Sequence, residues 1–292
     1  MRILLTGANG QVGHALRGAL APLGTVTAVD REGLDLGDPD AIRTLVRAVK
    51  PALVVNAAAY TAVDKAESET DRAFAVNAMG PGVLAEEAKR LDAVLVHYST
   101  DYVFDGRARR PWREDDPTGP LNAYGRSKRA GELAIAAVAP KHLVLRTSWV
   151  YGPRGKNFLL TMLSLAATRE EIRVVADQRG APTSALFLAD ATARALAAIP
   201  REGVASGIYH LAAAGETTWA GFAEAIFARA SRRLPSFRAP RVVPIGTADY
   251  PTPALRPAYS LLDTGRFAKA FGIAPTSWEK QLDACMAALP PA

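Results

Sequence analysis

Arg2-Ile3-Leu4-Leu5-Thr6-Gly7-Ala8-Asn9-Gly10-Gln11-Val12-Gly13 opens the chain with an apolar run, a glycine-rich turn and the start of a helical pattern. Residues 2–6 have the near-continuous apolar character of a strand buried on both faces. A helical stretch follows from Gln11 to Leu20. Strand, turn and helix N-terminus in that order make an anion site. The first N–H groups of the helix have no partner within it, and the positive end of its dipole points the same way. Glycines let the backbone turn sharply and let a pyrophosphate approach closely.

The spacing is Gly-x-x-Gly-x-x-Gly, with Gly7, Gly10 and Gly13, rather than the more familiar Gly-x-Gly-x-x-Gly. Its place directly after a strand carries the dinucleotide reading. Such a site ends its second strand, about 20 residues on, with an acid that holds the adenosine ribose. Thr25-Val26-Thr27-Ala28-Val29-Asp30 supplies Asp30. A carboxylate there suits the free hydroxyls of NAD, whereas Arg31 beside it suits a 2'-phosphate, so NADH and NADPH both stay open.

The remaining composition narrows the class. The chain has 292 residues, 49% hydrophobic and 22% charged, which is globular and long enough for two unequal lobes. No run of eighteen apolar residues suggests a membrane span. The opening residues lack a basic region followed by an apolar stretch, so a cytoplasmic protein without a secretory leader is expected. Cys285 is alone and reads as a packing residue. His14, His97, His142 and His210 share no ligand spacing, and no metal site is expected. The net charge of +6 is scattered, its densest group being Arg107-Ala108-Arg109-Arg110. That distribution suits an anionic small ligand, not a nucleic acid.

Strand and helix patterns then alternate. A helix is expected over 40–49, a strand over 53–55 leading into Asn56-Ala57-Ala58-Ala59, and a long helix over 70–91. A strand over 93–97 leads into Ser99-Thr100-Asp101. A proline- and charge-rich loop (105–120) precedes a helix from near Asn122, and a strand over 142–146 leads into Thr147-Ser148-Trp149-Val150-Tyr151-Gly152. This predicts an α/β fold, a Rossmann-type doubly wound parallel sheet, whose ligands bind beyond the carboxyl ends of the strands. Beyond residue 152 the pattern becomes irregular: helices over 158–168 and 185–198, strands over 172–175 and 207–211, then prolines from 235 to 257. The expected organisation is a dinucleotide-binding domain over 1–150, with 186–212 packing back onto it. A smaller mixed α/β C-terminal lobe, over 151–185 and 213–292, is expected to bind substrate.

Tyr124-Gly125-Arg126-Ser127-Lys128 opens the helix after the proline-rich loop. A tyrosine and a lysine four apart share one helical face. A free phenol titrates near ~10, and a neighbouring ammonium favours the phenolate. Lowering the phenol by two to three pH units asks roughly 3–4 kcal/mol of a site. Thr100 ends a strand upstream, where its hydroxyl can share a carbonyl oxygen with the tyrosine.

Thr6 to Gly13, Asn56 to Ala59, Asn77, Ser99-Thr100 and Tyr124…Lys128 together resemble the extended short-chain dehydrogenase/reductase superfamily, in its order. Within it, Asn56 to Glu67, His97 to Gly106 and Arg146 to Tyr151 are similar to the dTDP-4-dehydrorhamnose reductases. So are Asp177 to Thr183, Tyr209-His210-Leu211, Thr217-Thr218-Trp219, and Arg256-Pro257 leading to Ser260 and Leu262-Asp263. The resemblance spans roughly residues 2–286. It implies reduction, by NADPH or NADH, of the 4-keto group of a dTDP-linked 4-keto-6-deoxy sugar.

In that resemblance Tyr124 is the general acid, Lys128 lowers its pKa and holds the nicotinamide ribose, and Thr100 binds the carbonyl oxygen. Thr100, Asp101 and Trp149 correspond to sugar contacts. Gly10, Gln11, Val12, Asp30, Asp35, Leu36, Ala59, Tyr60, Thr61 and Tyr98 correspond to the dinucleotide lining, with Gly7, Gly13, Arg31 and Ala57 beside them. Arg256 is either a diphosphate contact or a loop salt bridge. Some members dimerise through acids bridging a metal; one of those acids falls on the first helix, where this chain has Ala15. A monomer or a homodimer without that bridge is expected. The rival readings are a dehydratase or epimerase of the same superfamily and a non-catalytic regulatory subunit. Dehydratases carry Thr-Asp-Glu where this chain has Thr100-Asp101-Tyr102, and the intact Tyr124, Lys128 and Thr100 speak against a subunit without activity.

Overall fold

The computed structural model of the chain describes residues 1–138, 140–198, 206–234 and 236–290. Strands β1 (Arg2–Thr6), β2 (Thr25–Val29), β3 (Leu53–Asn56), β4 (Val94–Thr100) and β5 (Lys141–Thr147) alternate with helices α1 (Gln11–Leu20), α2 (Pro39–Val49), α3 (Thr70–Phe74), α4 (Gly80–Arg90) and α5 (Ala123–Val138). Asp38 caps α2 by accepting from the N–H groups of Asp40 and Ala41, and Pro39 fits the first turn, whose N–H is unpaired anyway. Lys50, left-handed at φ 47°, closes that helix before Pro51.

The long helix expected over 70–91 is interrupted. A π-turn over Ala75–Met79 separates α3 from α4. Its cause lies in contacts with other segments: the Asn77 side chain leaves the helix to bond both the N–H (2.8 Å) and the carbonyl (3.0 Å) of Tyr60, and to donate to the Ser127 hydroxyl (3.0 Å). Such bulges concentrate near functional sites.

Beyond β5 the chain forms β6 (Val150–Tyr151), α6 (Phe158–Ala166), β7 (Glu171–Val175), β8 (Arg179–Gly180) and β9 (Thr183–Ser184). Helix α7 (Ala185–Ala198) then packs against α1, and β10 (Gly207–His210) adds to β5. Residues 199–205, within the segment expected to pack back, and Pro235 lie outside the described residues. The central sheet is parallel throughout in the order β10-β5-β4-β3-β1-β2. Because β2 lies on one side of β1 and β3 on the other, the strand order reverses there and opens a crevice at the carboxyl ends. Apolar layers cover both faces, with Ile3, Leu5, Leu16 and Leu188 on one and Leu4, Val54, Leu84 and Ile135 on the other.

The remaining elements are β11 (Thr217–Thr218), α8 (Trp219–Arg233), β12 (Arg241–Ile245), α9 (Gly265–Phe271) and α10 (Trp278–Ala287). Most of them join α6, β6 and β7 around a second core containing Leu159, Phe222, Ile226 and Leu282. Cys285 lies fully buried in it.

Candidate active site

The glycine turn is built for close approach. Gly7 has φ +71°, and a Cβ there would stand 2.6 Å from the Ala58 nitrogen. A Cβ on Gly13 would stand 2.0 Å from the Gly7 carbonyl oxygen, so its role is to let α1 close onto the turn, and it does not line the cleft. Helix α1 carries no acidic residue in its first turn and no side-chain cap, leaving its N-terminal amides open to an anion. The buried Gln11 Oε1 beside them has no hydrogen-bond partner. These features fit the diphosphate of a dinucleotide.

A cleft of about 910 Å³ runs from this turn across the ends of β1, β3, β4 and β5. Gly7, Gly10, Gln11 and Val12 line one end with Asp30, Arg31, Asp35 and Leu36. Ala57, Ala59, Tyr60 and Thr61 line its floor, and Tyr98, Thr100, Asp101, Tyr124, Lys128 and Trp149 line the rest. Of the sequence-derived residues only Gly13 and Arg256 stand outside it. Arg256 forms the loop ion pair: its guanidinium holds Asp64 at 2.8 Å, and Asp64 also accepts from the Ala254 N–H.

Several lining residues have second duties. The Asp30 carboxylate accepts from the N–H groups of Glu32 and Gly33 and from the Asn9 amide. Asp35 pairs with Arg72 at 2.7 Å. The Tyr98 hydroxyl bonds Thr192 at 2.7 Å, while its carbonyl accepts from Lys128. Trp149 has a left-handed backbone (φ 47°), uncommon for a bulky residue, and stacks on Trp219 with centroids 3.7 Å apart. Asn9, Arg72, Ser148 and Lys156 also line the cleft and were not singled out from sequence. Asn9 sits inside the glycine turn and was legible there; Arg72 reaches Asp35 across 37 residues, with no local signal.

The expectation that Lys128 lowers the Tyr124 pKa is not met in this structure. Burial pushes the phenol up to about 12, opposed by a hydrogen bond with the Thr100 hydroxyl, and Asp101 pushes it further. Lys128 Nζ instead donates to the Tyr98 carbonyl (2.6 Å) and lies 3.1 Å from His97 Nε2. Burial draws Lys128 down to about 8. A phenol raised in this way stays protonated through neutral pH, the state needed to give a proton.

Asp101 is 2% exposed, and its Oδ2 has no hydrogen-bond partner. Burial raises it to about 6, although Ser260 and Thr100 pull it down. A carboxyl raised on folding stabilises the fold below its unfolded pKa, and that contribution is lost as pH rises through the folded value. Asp101→Asn is therefore expected to gain about 2–3 kcal/mol over the parent between pH 4 and pH 7. Urea unfolding at the two pH values measures it, and an unchanged difference places the Asp101 titration in the ordinary carboxylate range.

A parallel sheet that presents a dinucleotide turn and a Tyr–Lys helix to one cleft is the arrangement of the extended short-chain dehydrogenase/reductases. The family profile described as RmlD substrate binding domain matches residues 1–290, and the chain belongs to that family, the dTDP-4-dehydrorhamnose reductases. A dTDP-4-dehydrorhamnose reductase of Burkholderia thailandensis is 51% identical over 292 residues, covering 98% of both chains. One of Escherichia coli K12 is 45% identical over 283 residues, covering 96% of this chain and 95% of that one. A crystal structure of a dTDP-4-dehydrorhamnose reductase from Bacillus anthracis in complex with NADP superposes with a TM-score of 0.90, at 35% identity and 98% coverage of each chain.

Proposed function

We propose that this chain reduces the 4-keto group of dTDP-4-dehydro-β-L-rhamnose to give dTDP-L-rhamnose, using NADPH or NADH. The observation that carries the reading is the convergence of the glycine turn, Thr100, Tyr124 and Lys128 on one cleft. The identities of 51% and 45% to reductases of that name support it. A bound nicotinamide coenzyme supplies the hydride.

The side chains do the rest. Tyr124 hands its proton to the forming alkoxide as general acid. Thr100, which lines the cleft with the phenol, holds the same oxygen. Lys128 holds the nicotinamide ribose, Asp30 and Arg31 the adenosine ribose, and the α1 amides the diphosphate. Asp101 and Trp149 meet the sugar, while Arg256 and Asp64 fix the loop over 252–256. Residues 1–150, with 186–212, thereby hold the coenzyme, and 151–185 with 213–292 face the sugar nucleotide.

Incubation with dTDP-4-keto-6-deoxy sugar and NADPH or NADH tests this: stoichiometric loss of the 340 nm absorbance is expected, about one coenzyme per sugar. An epimerase would return its hydride and leave the absorbance unchanged. Tyr102 stands where a dehydratase needs its second acid, and a phenol raised by burial cannot fill that role. Asp30→Ala is expected to weaken NADH more than NADPH, read by titration of each; equal losses would remove Asp30 from ribose recognition.

Among the described residues no helix is long and apolar enough to cross a membrane, and no three His, Cys, Asp or Glu side chains are grouped to hold a metal. The proposed setting is the cytoplasm, as a monomer or a homodimer without a metal bridge, with no nucleic-acid partner.

A further inference from the structure

A buried polar row lies beneath the cleft. Thr6 on β1, Asn56 on β3 and His97 on β4 are in register across three adjacent strands, and Lys128 of α5 ends the row. Each is 1% exposed. Every hydrogen in such a row needs an acceptor within it.

The directions can be assigned in sequence. The Ala58 N–H can only donate, and it reaches Asn56 Oδ1 at 3.2 Å. The Thr6 hydroxyl gives the same oxygen a second hydrogen at 2.6 Å. The amide is thereby oriented, and its Nδ2 faces His97 Nδ1 at 3.0 Å. An amide nitrogen only donates, so Nδ1 accepts, and a neutral imidazole then carries its hydrogen on Nε2. Burial holds His97 well below its ordinary pKa, which keeps it neutral. Nε2–H points at Lys128 Nζ, 3.1 Å away. An ammonium there would set N–H against N–H. An amine offers a lone pair to Nε2–H and still donates to the Tyr98 carbonyl.

We propose that Ala58 and Asn56 are positioning residues that lock His97 as its Nε2–H tautomer, and that His97 so held biases Lys128 toward the neutral amine. The inference rests on the reading of Lys128 as the partner of Tyr124 and the coenzyme. It makes the proton state of that lysine depend on the 56–60 turn, which lines the coenzyme end of the cleft. Facing Nζ from β4 are His97 and the Tyr98 carbonyl. On α5 stand the Tyr124 phenol one turn earlier and Glu132 one turn later. Glu132 favours the ammonium but is paired with Arg146 of β5 and with Arg129. Asp101 lines the same cleft.

Nitrogen NMR on the coenzyme-free full chain, labelled in histidine and lysine, tests this. His97 is assigned by loss of its signals in His97→Gln. The parent is expected to show an unprotonated Nδ1 and a protonated Nε2 at His97. Asn56→Asp places an acceptor opposite Nδ1; His97 should then switch to the Nδ1–H tautomer, and the Lys128 midpoint should rise by about one pH unit, a ~10-fold change in proton affinity. His97→Gln, whose amide presents oxygen to Asn56 and nitrogen to Lys128, should keep the parent midpoint. An Nδ1–H tautomer in the parent overturns the proposal, as does a midpoint that Asn56→Asp leaves unmoved. Should Asn56→Asp not fold, the tautomer of the parent decides alone. None of these signals needs turnover, so a chain found not to reduce the sugar fails the functional reading without touching this one.

Discussion

Replacing Tyr124 with phenylalanine is expected to lower kcat by ~10²- to 10⁴-fold, the usual span of a positioned proton donor. The ring itself should stay in place, because its edge-on contact with Tyr102 (centroids 5.5 Å apart) uses carbon, not oxygen. The glycine turn and Lys128 are untouched, so coenzyme affinity should be nearly unchanged. Single-turnover reduction together with a coenzyme titration separates the two quantities. A variant that turns over near the parent rate would remove Tyr124 from the chemistry. Because the phenol is pushed up to about 12, its protonated fraction does not limit the parent enzyme at pH 7.

Arg146→Met is expected to cost about 3 kcal/mol or more of stability. Arg146 and Glu132 meet at 2.7 Å with 1% and 0% side-chain exposure. Burial alone would push Glu132 up, yet Arg146, helped by Ser99 and Arg129, holds it below the ordinary carboxylate range. Removing the arginine leaves a buried carboxylate whose remaining cation, Arg129, is partly exposed. The double variant Glu132→Leu/Arg146→Met should be less destabilised than Arg146→Met alone, since no charge is then left unpaired. Urea unfolding of the three proteins at pH 7 gives the comparison; a loss under about 1 kcal/mol for Arg146→Met would mean that water or Arg129 compensates. The effect bears on function through Ser99, which donates to Glu132 at 2.6 Å beside Thr100.

The parts of the fold legible in the sequence are those fixed by local pattern. The apolar run over 2–6, the glycine turn and the helix behind it appear as read, as does the alternation through residue 147. The cleft gathers the residues whose positions follow from strand ends, including Thr100, Tyr124 and Lys128. What was not legible depends on contacts between distant residues. The π-turn follows from Asn77 meeting Tyr60 and Ser127, and the pairing of Arg256 follows from Asp64, 192 residues away in sequence. The direction of the Tyr124 shift was missed for the same reason. Four residues of helical spacing place Lys128 nearby, but only the fold shows that His97 and Tyr98 engage its amine.

Strand β10 is laid down on the sheet's edge only after the chain has left the sheet to build β6 to β9. A ribosome that has emitted the first 150 residues has therefore made five strands of the sheet but not the sixth. During that interval β5 presents a raw margin of backbone amides and carbonyls, open to any stray strand. Gene fragments cut at the apparent joint near residue 150 would keep that margin permanently, so an expressed N-terminal half is expected to clump where the entire chain does not.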